Sequence, residues 1–168
     1  ILHYIATINT TTTDETPLDN QKELNQTVVG SFDPNDKTCT EGSNLPIGQV
    51  GKDLHYVIRF ENTGTANAEN IVVRDVIDTS KFDIATLVPL AGSHPFTTKI
   101  LNTNQVEFIF ENINLPFDDA NNDGFVAFKI KSKPNLTVGS AINNTAEIFF
   151  DYNLPIVTNT STVTVFDP

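Results

Sequence analysis

Apolar and polar residues alternate with a period of two along most of this chain. The clearest run covers residues 53–61, in which every second side chain is large and apolar. Such alternation is typical of a strand that has one face in a hydrophobic core and the other in solvent. The apolar positions with this spacing in three runs are Leu54, Tyr56, Ile58 and Phe60; Val106, Phe108 and Phe110; and Val126, Phe128 and Ile130.

The same pattern predicts further strands, with polar loops that contain Gly, Pro or Asn between them. Residues 62–69 are expected to form a hairpin loop or a corner between two sheets. Residues 80–87 are expected to contain one short helical turn. No stretch has convincing helical periodicity, so the chain is predicted to be an all-β, antiparallel sandwich. The predicted strands are residues 53–61, 70–77, 97–101, 105–111, 125–131, 141–150 and 157–166.

The first part of the chain differs from the rest. Residues 3–8 have the pattern of a strand, residues 10–20 are typical of a polar linker, and residues 25–29 resemble a short strand. We therefore expect residues 1–27 to be the tail of a preceding module plus a polar linker. Residues 28–168 are expected to form the sandwich module. The chain lacks Met and starts in mid-pattern, which is expected of a piece of a longer polypeptide.

The composition is strongly acidic. Among 168 residues there are 10 Lys and Arg against 21 Asp and Glu, a net charge of −11. This charge disfavours phosphate backbones, so no nucleic-acid partner is expected. No apolar run approaches the length of a membrane span, and membrane insertion is not expected. Cys39 is the single cysteine, which excludes an intrachain disulfide and a thiolate zinc cluster, and it is expected to be an inert side chain.

Excess carboxylate also supplies oxygen ligands for hard cations, and the best candidate is the loop at residues 118–125. Oxygen-bearing residues occupy alternate positions there, which turns their oxygens to one side, and Gly124 permits a tight bend. The position of the bidentate Glu of an EF-hand is Ile130, which excludes that motif. A calcium site completed by other loops is one hypothesis, and an Asx-rich surface turn is the alternative. The candidate ligands are Asp119, Asn121, Asp123 and Phe125.

Two segments rich in Asp, Asn and Pro bracket the strands, at residues 31–37 and 150–159. If these segments meet, their oxygen atoms form a second cluster that could hold a metal. A structural role is the preferred interpretation, because Asp and Asn cap turns by accepting hydrogen bonds from local N–H groups and Pro fixes φ. The residues of this structural motif are Asp33, Asn35, Asp36, Lys37, Asp151, Asn153, Pro155 and Asn159.

Lys37 also raises the hypothesis of a spontaneous isopeptide bond, a cross-link known from other surface sandwiches. The chemistry requires a lysine on one strand, an asparagine on a neighbouring strand and a buried carboxylic acid beside them. Asn144 or Asn159 would supply the carboxamide, and Glu61 or Asp75 the acid. No spacing rule supports these pairings, so an ordinary solvated lysine is the preferred interpretation.

The sequence contains no recognisable catalytic constellation, and no enzymatic activity is expected. Ser93 and His94 are adjacent, and neighbouring residues on a strand point to opposite faces, so they would not form a catalytic relay by themselves. Arg59 and Arg74 are expected to face solvent. Each is expected to interact weakly with an acidic neighbour, Arg59 with Glu61 and Arg74 with Asp75.

Several motifs together resemble a known family. Residues 56–75, which include the sequence Asn-Thr-Gly-Thr, resemble the hairpin of bacterial conserved-repeat surface domains. With residues 31–37, 124–131 and 144–159 the chain resembles the immunoglobulin-like module found before the C-terminal sorting domain of type IX-secreted bacterial proteins. The resemblance spans about residues 28–165 and implies an antiparallel immunoglobulin-like β-sandwich of about seven to nine strands.

The resemblance implies a secreted or cell-surface location outside the bacterial outer membrane. It also implies a non-catalytic structural spacer placed next to the sorting signal, with neighbouring modules of the same polypeptide as partners. Two alternatives stay open. One is an adhesive module that binds a surface glycan or protein through a calcium-ordered loop, and the other is a contact with the secretion machinery during export.

Overall fold

The computed structural model describes four parts of the chain: residues 2–9, 16, 20–26 and 34–168. The chain divides into two compact units, residues 1–32 and residues 33–168. The described residues form strands, turns and one 3₁₀ turn but no α-helix. They therefore include no helix with the length and apolar character needed to cross a membrane.

In the first unit the described residues form an antiparallel hairpin. β1 (Leu2–Thr7) pairs with β2 (Gln21–Gln26) along its whole length. The strand predicted at residues 3–8 is therefore confirmed. The strand predicted at residues 25–29 overlaps β2 only at its start, and residues 27–29 lie outside the described part of the chain.

Twelve strands are described in the second unit, within residues 34–168. A 3₁₀ turn at Ile47–Gln49 follows the second of them. The strands are β3 (Lys37–Cys39), β4 (Asn44–Pro46), β5 (Asp53–Glu61), β6 (Ile71–Val76), β7 (Phe82–Gly92), β8 (Thr97–Leu101), β9 (Gln105–Phe110), β10 (Asp123–Ser132), β11 (Ala141–Asn144), β12 (Ala146–Phe150), β13 (Ile156–Val157) and β14 (Ser161–Phe166).

These twelve strands form three sheets. The first sheet has the order β3-β5-β10-β7, the second β13-β12-β6-β9-β8, and the third β11-β14-β4. Neighbouring strands are antiparallel except for β14 and β4, which are parallel. The all-β, antiparallel sandwich predicted from the sequence is therefore confirmed.

Phenylalanine rings join the first two sheets into one core. Phe60 of β5 meets Phe110 of β9 edge-on, with ring centroids 5.2 Å apart. Phe128 of β10 stacks on Phe108 of β9 at 5.3 Å. The third sheet contributes Val163 to the same hydrophobic core. The apolar positions that alternate in the three sequence runs are all buried, as strand geometry requires for the face that points inward.

The helical turn predicted at residues 80–87 is wrong, because residues 82–87 belong to the long strand β7 and only residues 80 and 81 lie in the turn before it. β7 pairs with β10, and the register shifts twice, between Ala127 and Phe128 and between Lys129 and Lys131. β7 has one extra residue at the first irregularity and three at the second. Both numbers are odd, so each irregularity inverts the alternation of side chains. The apolar residues of β7 therefore do not recur with a period of two, which hid the strand.

Two predicted strands are each divided between sheets. The run at residues 141–150 is interrupted at Thr145, so β11 lies in the third sheet and β12 in the second. Burial continues to alternate across the interruption, so the sequence pattern could not reveal it. The run at residues 157–166 is divided in the same way into β13 and β14. These divisions, together with β3, β4 and β7, raise the number of described strands above the predicted range of about seven to nine.

Residues 62–69 form a corner between two sheets, which was one of the two predicted alternatives. The chain leaves the first sheet at the end of β5 and enters the second at β6. Asn62 closes the corner, because its side chain donates to the carbonyls of Ala66 at 2.9 Å and Leu115 at 3.0 Å and accepts from the N–H of Gly64 at 3.0 Å.

Gly124 has a packing role that the sequence did not reveal. It lies in β10 opposite Phe60 of β5. A Cβ atom at Gly124 would lie 2.1 Å from Cε2 and 2.4 Å from Cζ of the Phe60 ring. The close approach of this buried ring is a reason for glycine at this position.

Gly124→Ala is expected to destabilise the second unit by about 1–3 kcal/mol, because the Phe60 ring must move within a filled core. Gly48→Ala is the matched control, since a Cβ atom there would meet no atom within 4 Å, and its effect is expected to stay within about 0.5 kcal/mol. Urea denaturation of the full chain measures both values. Equal midpoints for the two variants would contradict this account of Gly124.

Candidate functional site

The side chain of Lys37 is buried in the core. β3 alternates so that Lys37 and Cys39 are buried and Thr38 is only half-buried. Lys37 lies opposite Ile58 of β5 in the ladder and is only 1% exposed. The sequence-based interpretation as a solvated lysine is therefore wrong. The cause is strand alternation, which directs this side chain inward.

Two further polar side chains meet Lys37 in the core. Asp75 occupies the inward position of β6 that follows Ile71 and Val73, and Asn144 is the last residue of β11. Nζ of Lys37 donates to Oδ2 of Asp75, and Nδ2 of Asn144 contacts the same oxygen at 3.4 Å. We call these three residues the buried cluster. Each of them comes from a different sheet, so the cluster lies where the three sheets meet.

The surroundings of the buried cluster are apolar. Nζ of Lys37 lies 5.2 Å from the ring centroid of Tyr56 and 5.5 Å from that of Phe128. The side chains of Lys37 and Asp75 are both completely shielded from solvent. Oδ1 of Asp75 has no hydrogen-bond partner in the described part of the chain. The two ionisable groups therefore have little besides each other and Asn144 to stabilise a charge.

Burial determines the protonation of this pair. It lowers the pKa of the Lys37 amine and raises the pKa of the Asp75 carboxyl, although the attraction between the two groups opposes both shifts. Both directions favour the uncharged forms, an amine with a free lone pair and a protonated carboxyl. The uncharged amine of Lys37 is a nucleophile, and the protonated carboxyl of Asp75 is a general acid. The carboxamide of Asn144 beside them is an acyl group.

Asn159 contacts the main chain of Lys37 rather than its amine. Its Oδ1 accepts from the N–H of Lys37 at 2.8 Å, and its Nδ2 donates to the Lys37 carbonyl at 3.0 Å. The N–H of Cys39 donates to Oγ of Ser161, the first residue of β14, at 3.2 Å. The two bracketing motifs therefore do meet, through hydrogen bonds between the main chain of β3 and side chains at and just before the start of β14.

Asn35 and Asp36 attach the start of β3 to β5. Oδ1 of Asn35 accepts from the N–H of Glu61 at 3.3 Å. The carboxylate of Asp36 accepts from Nη1 of Arg59, at 3.0 Å to each oxygen. The predicted pairing of Arg59 with Glu61 is therefore wrong. Asp33, the first residue of the predicted structural motif, lies outside the described residues.

Asp151 does not contact β3 but holds the chain at the start of β6. Its carboxylate accepts from the N–H of Asn70 at 2.7 Å and of Glu69 at 3.2 Å, which fixes the chain at the entry to β6. Asn153 and Pro155 lie in the same connection between β12 and β13. Among the described residues, no three Asp, Glu, His or Cys side chains come together as metal ligands.

Arg74 pairs with glutamates and not with Asp75, so that prediction is wrong. Its guanidinium lies 3.1 Å from the carboxylate of Glu107 and 3.6 Å from that of Glu147. Successive residues on a strand point to opposite faces, and therefore Arg74 faces outward while Asp75 faces the core. This alternation is the signal in the sequence that could have identified Asp75 as a buried acid.

The predicted calcium ligands lie in the loop before β10 and in the first residues of that strand. Asp119, Asn121 and Asp123 are exposed, and the amide of Asn121 donates to Oδ1 of Asp118 at 2.9 Å. Phe125, the fourth candidate, has only its main-chain carbonyl to offer as a ligand, and this carbonyl accepts a hydrogen bond from the N–H of Ser93 at 3.0 Å. The calcium hypothesis stays a prediction, which a calcium-dependent rise in melting temperature would support.

Ser93 and His94 form a hydrogen bond, in contrast to the expectation that they point apart. They lie in a turn after β7, where Oγ of Ser93 is 2.9 Å from Nδ1 of His94. Ser93 also exchanges main-chain and side-chain hydrogen bonds with Phe125. His94 has no carboxylate partner within residues 34–168, so a charge relay is not completed there.

The Cys39 thiol is inert at neutral pH. Burial raises its pKa to about 12, and its Sγ lies 3.2 Å from Oε2 of Glu41. The thiolate, which is the nucleophilic form, is therefore not populated.

The fold is that of an immunoglobulin-like β-sandwich domain found in bacterial surface proteins of known structure. The collagen-binding subdomain of the Enterococcus faecalis surface protein ACE is 10% identical, with 80% of this chain and 98% of that chain covered and a TM-score of 0.51. The N-terminal domain of the Streptococcus gordonii adhesin Sgo0707 is 16% identical, with coverages of 81% and 33% and a TM-score of 0.55.

A third similar structure is the major pilin SpaA from Corynebacterium diphtheriae, described as pointing to "a modular pilus assembly stabilizing isopeptide bonds". It is 11% identical, with 79% of this chain and 38% of that chain covered and a TM-score of 0.53. The chain thus spans nearly all of the ACE subdomain but well under half of the other two chains. At these identities the similarity establishes the fold.

The chain belongs to the family described as "Domain of unknown function (DUF7619)", which matches residues 33–164. The match covers nearly all of the second unit. No curated protein matches the sequence.

Asp75→Asn is expected to change how stability depends on pH, because asparagine keeps the shape of the side chain but cannot ionise. The folded-state pKa of Asp75 is raised above 3.8, so its contribution is fully present below that pH and is lost as pH rises through the folded-state pKa. The free energy of unfolding of the wild type should therefore fall relative to Asp75→Asn across this window. Urea denaturation from about pH 3 to about pH 8 measures the difference.

Asp78→Asn is the matched control, for which the expected change of stability with pH has the opposite sign. Hydrogen bonds from Ser80 lower the pKa of Asp78, so its contribution is present above 3.8 and is lost as pH falls through the lowered pKa. The wild type should therefore gain stability relative to Asp78→Asn as pH rises. Parallel curves for the wild type and Asp75→Asn would contradict the burial of an uncharged Asp75.

Proposed function

We propose that the chain is a non-catalytic, load-bearing spacer module of a secreted or cell-surface bacterial protein. The observation that carries this proposal is the contact between β3 and β14, the first and last strands of the second unit. They lie side by side although they are far apart in sequence. Tension that enters the unit at one end and leaves at the other must pass through this contact.

The contact has the geometry that resists tension best. Lys37 contacts Asn159, two residues before β14 begins, and Cys39 contacts Ser161, the first residue of β14. The chain therefore runs in the same direction on both sides of the contact. Force on the two ends of the unit then pulls the strands along each other rather than apart. All hydrogen bonds between them bear load together, whereas strands that are peeled apart lose their bonds one at a time.

The pairing of β14 with two more strands adds to this resistance. β14 is the central strand of the third sheet, between β11 and β4. Its inward side chains Val163 and Val165 are buried in the shared core. Removing β14 from the sandwich would therefore break two ladders and expose apolar surface.

The secreted or surface setting is supported by the sequence motifs and by the proteins in which similar folds occur. The motifs resemble the module that precedes a type IX sorting domain, and the fold occurs in the surface protein ACE and the pilin SpaA. A net charge of −11 favours solubility and disfavours non-specific contact with anionic surfaces. We therefore place the module beside the sorting signal of a type IX-secreted protein.

A spacer should be replaceable. In the parent protein, substitution of residues 33–168 by an unrelated sandwich of similar length should leave secretion of the attached domains unchanged. The amount of parent protein in the medium and on intact cells, measured with an antibody, tests this. A strong loss of secretion would contradict the spacer role and would instead indicate a contact with the export machinery.

Asn159→Ala is expected to weaken the unit against tension, because it removes both hydrogen bonds to the main chain of Lys37. At about 1 kcal/mol for each bond, the barrier to forced unfolding should fall by about 2 kcal/mol. Single-molecule extension of the full chain between handles at its two ends measures the unfolding force.

Ser80→Ala is the matched control for this experiment. Ser80 is exposed and lies in the turn before β7, where its hydroxyl donates to Oδ1 of Asp78 at 2.6 Å. Loss of this hydrogen bond should leave the unfolding force unchanged, because it lies outside β3, β14 and the strands that pair with them. A wild type that unfolds at the same force as Asn159→Ala would contradict the load-bearing role of the contact between β3 and β14.

A further inference from the structure

The spacer role does not account for the buried cluster. A buried lysine and acid add little stability compared with apolar residues of the same volume, because their charged forms lose hydration when they are buried. The cluster also leaves Oδ1 of Asp75 without a hydrogen-bond partner among the described residues. Buried polar atoms are normally satisfied, so an enclosed lysine and acid with an unpaired oxygen indicate a chemical role.

We propose that Lys37 and Asn144 form an intramolecular isopeptide bond whose formation is promoted by Asp75. Nζ of Lys37 and the carboxamide of Asn144 are held against the same oxygen of Asp75. The amine and the acyl group are therefore neighbours on a shared partner before any bond forms. Because the three side chains come from three sheets, they meet only in the folded chain.

The reaction is an amide transfer that needs no oxidant or cofactor. The uncharged amine of Lys37 attacks Cγ of Asn144, and a bond forms between Nζ and Cγ. Protonated Asp75 donates to the carboxamide oxygen during the attack, which stabilises the charge that develops there. The carboxylate then accepts a proton from the attacking nitrogen and passes it to the leaving nitrogen. The bond between Cγ and Nδ2 then breaks and ammonia leaves. As the carbonyl re-forms, its oxygen returns the proton to the carboxylate, which regenerates protonated Asp75.

The orientation of the Asn144 amide is compatible with this role for Asp75. The two ends of a carboxamide are nearly equal in size, and a half-turn exchanges the positions of Oδ1 and Nδ2. After such a turn, the oxygen of Asn144 lies against Oδ2 of Asp75. A protonated Asp75 can then donate to it, and the acyl carbon becomes more electrophilic.

The enclosure of the site supports each step. Burial lowers the pKa of Lys37 and raises that of Asp75, so it shifts both groups towards the protonation states that the reaction needs. Fixed side chains replace a chance encounter, which raises the effective concentration of the amine at the acyl carbon. Exclusion of solvent also limits competing hydrolysis of the carboxamide.

The structure selects one pair from the alternatives that the sequence left open. Both ends of the Asn159 amide are engaged by the main chain of Lys37. Glu61 accepts from Nδ2 of Asn122 rather than contacting the amine. Lys37, Asn144 and Asp75 are therefore the residues to test.

The bond goes beyond the spacer role and does not depend on it, because it would form in the isolated folded chain. It would join the first strand of the second unit to β11 covalently. Tension could then not extend the chain between residues 37 and 144. The strands between these two residues would therefore not be extended by tension, even after β14 had been pulled out of the sandwich.

Intact-mass spectrometry of the purified, folded full chain tests the proposal. The expected mass is lower than the sequence mass by one molecule of ammonia in nearly every chain. After digestion with trypsin, cleavage should fail at Lys37, and fragment ions should show the segments around Lys37 and Asn144 in one linked species. The linked species distinguishes the bond from loss of ammonia at a single asparagine.

Three variants define the roles of the residues. Lys37→Met and Asp75→Asn should each have the full sequence mass, and Asn143→Ala should still lose ammonia. Asn144→Asp gives a second measurement, because attack on a carboxyl releases water and yields the same cross-linked product as the wild type. Circular dichroism and urea denaturation establish that each variant is folded.

The wild type alone decides the outcome if a variant fails to fold. A folded wild-type chain with the full sequence mass and normal cleavage at Lys37 overturns the proposal. Loss of ammonia without a linked species also overturns it. Neither result would affect the spacer role, which depends on the unfolding force and on secretion of the parent protein.

Discussion

The burial of the Lys37 amine is the constraint on which the centre of this structure depends. A lysine in an aromatic core loses the hydration of its charge, which costs several kcal/mol even after relaxation. The protein must neutralise, pair or consume the amine. Asp75 and Asn144 are placed where they can do all three, and each comes from a different sheet. The three sheets therefore meet at Nζ of Lys37.

Lys37 also joins the ends of the unit through its main chain. Its N–H and carbonyl are both bonded to Asn159, so the last part of the chain holds the first strand in register. With β3 fixed in this way, strand alternation leaves the Lys37 side chain no direction except inward. The mechanical contact and the chemical cluster are thus two consequences of one strand position. The proposed load-bearing role rests on the first of them and the proposed isopeptide bond on the second.

The all-β fold was predictable, because long strands with one buried face keep a clear period of two. Strand β7 was hidden by register shifts, and the division of residues 141–150 was hidden because burial alternates across Thr145. The chemistry of the cluster was predicted as a hypothesis, and its residues were among the alternatives, but the sequence did not select Asn144 over Asn159 or Asp75 over Glu61. Alternation along β6 does place Asp75 on the face of Val73, which was sufficient to identify a buried acid. The contact of this acid with Lys37 and Asn144 depends on how the three sheets pack together. The alternation of apolar and polar residues within one strand does not predict that packing.

A crystal structure of the folded chain tests the central claim most directly, at a resolution that separates bonded from non-bonded atoms. The account predicts continuous electron density between Nζ of Lys37 and Cγ of Asn144, at about 1.33 Å, the length of an amide bond. Oδ2 of Asp75 should lie within hydrogen-bonding distance of the new amide. Two separate side chains, with an intact carboxamide on Asn144, would contradict the account.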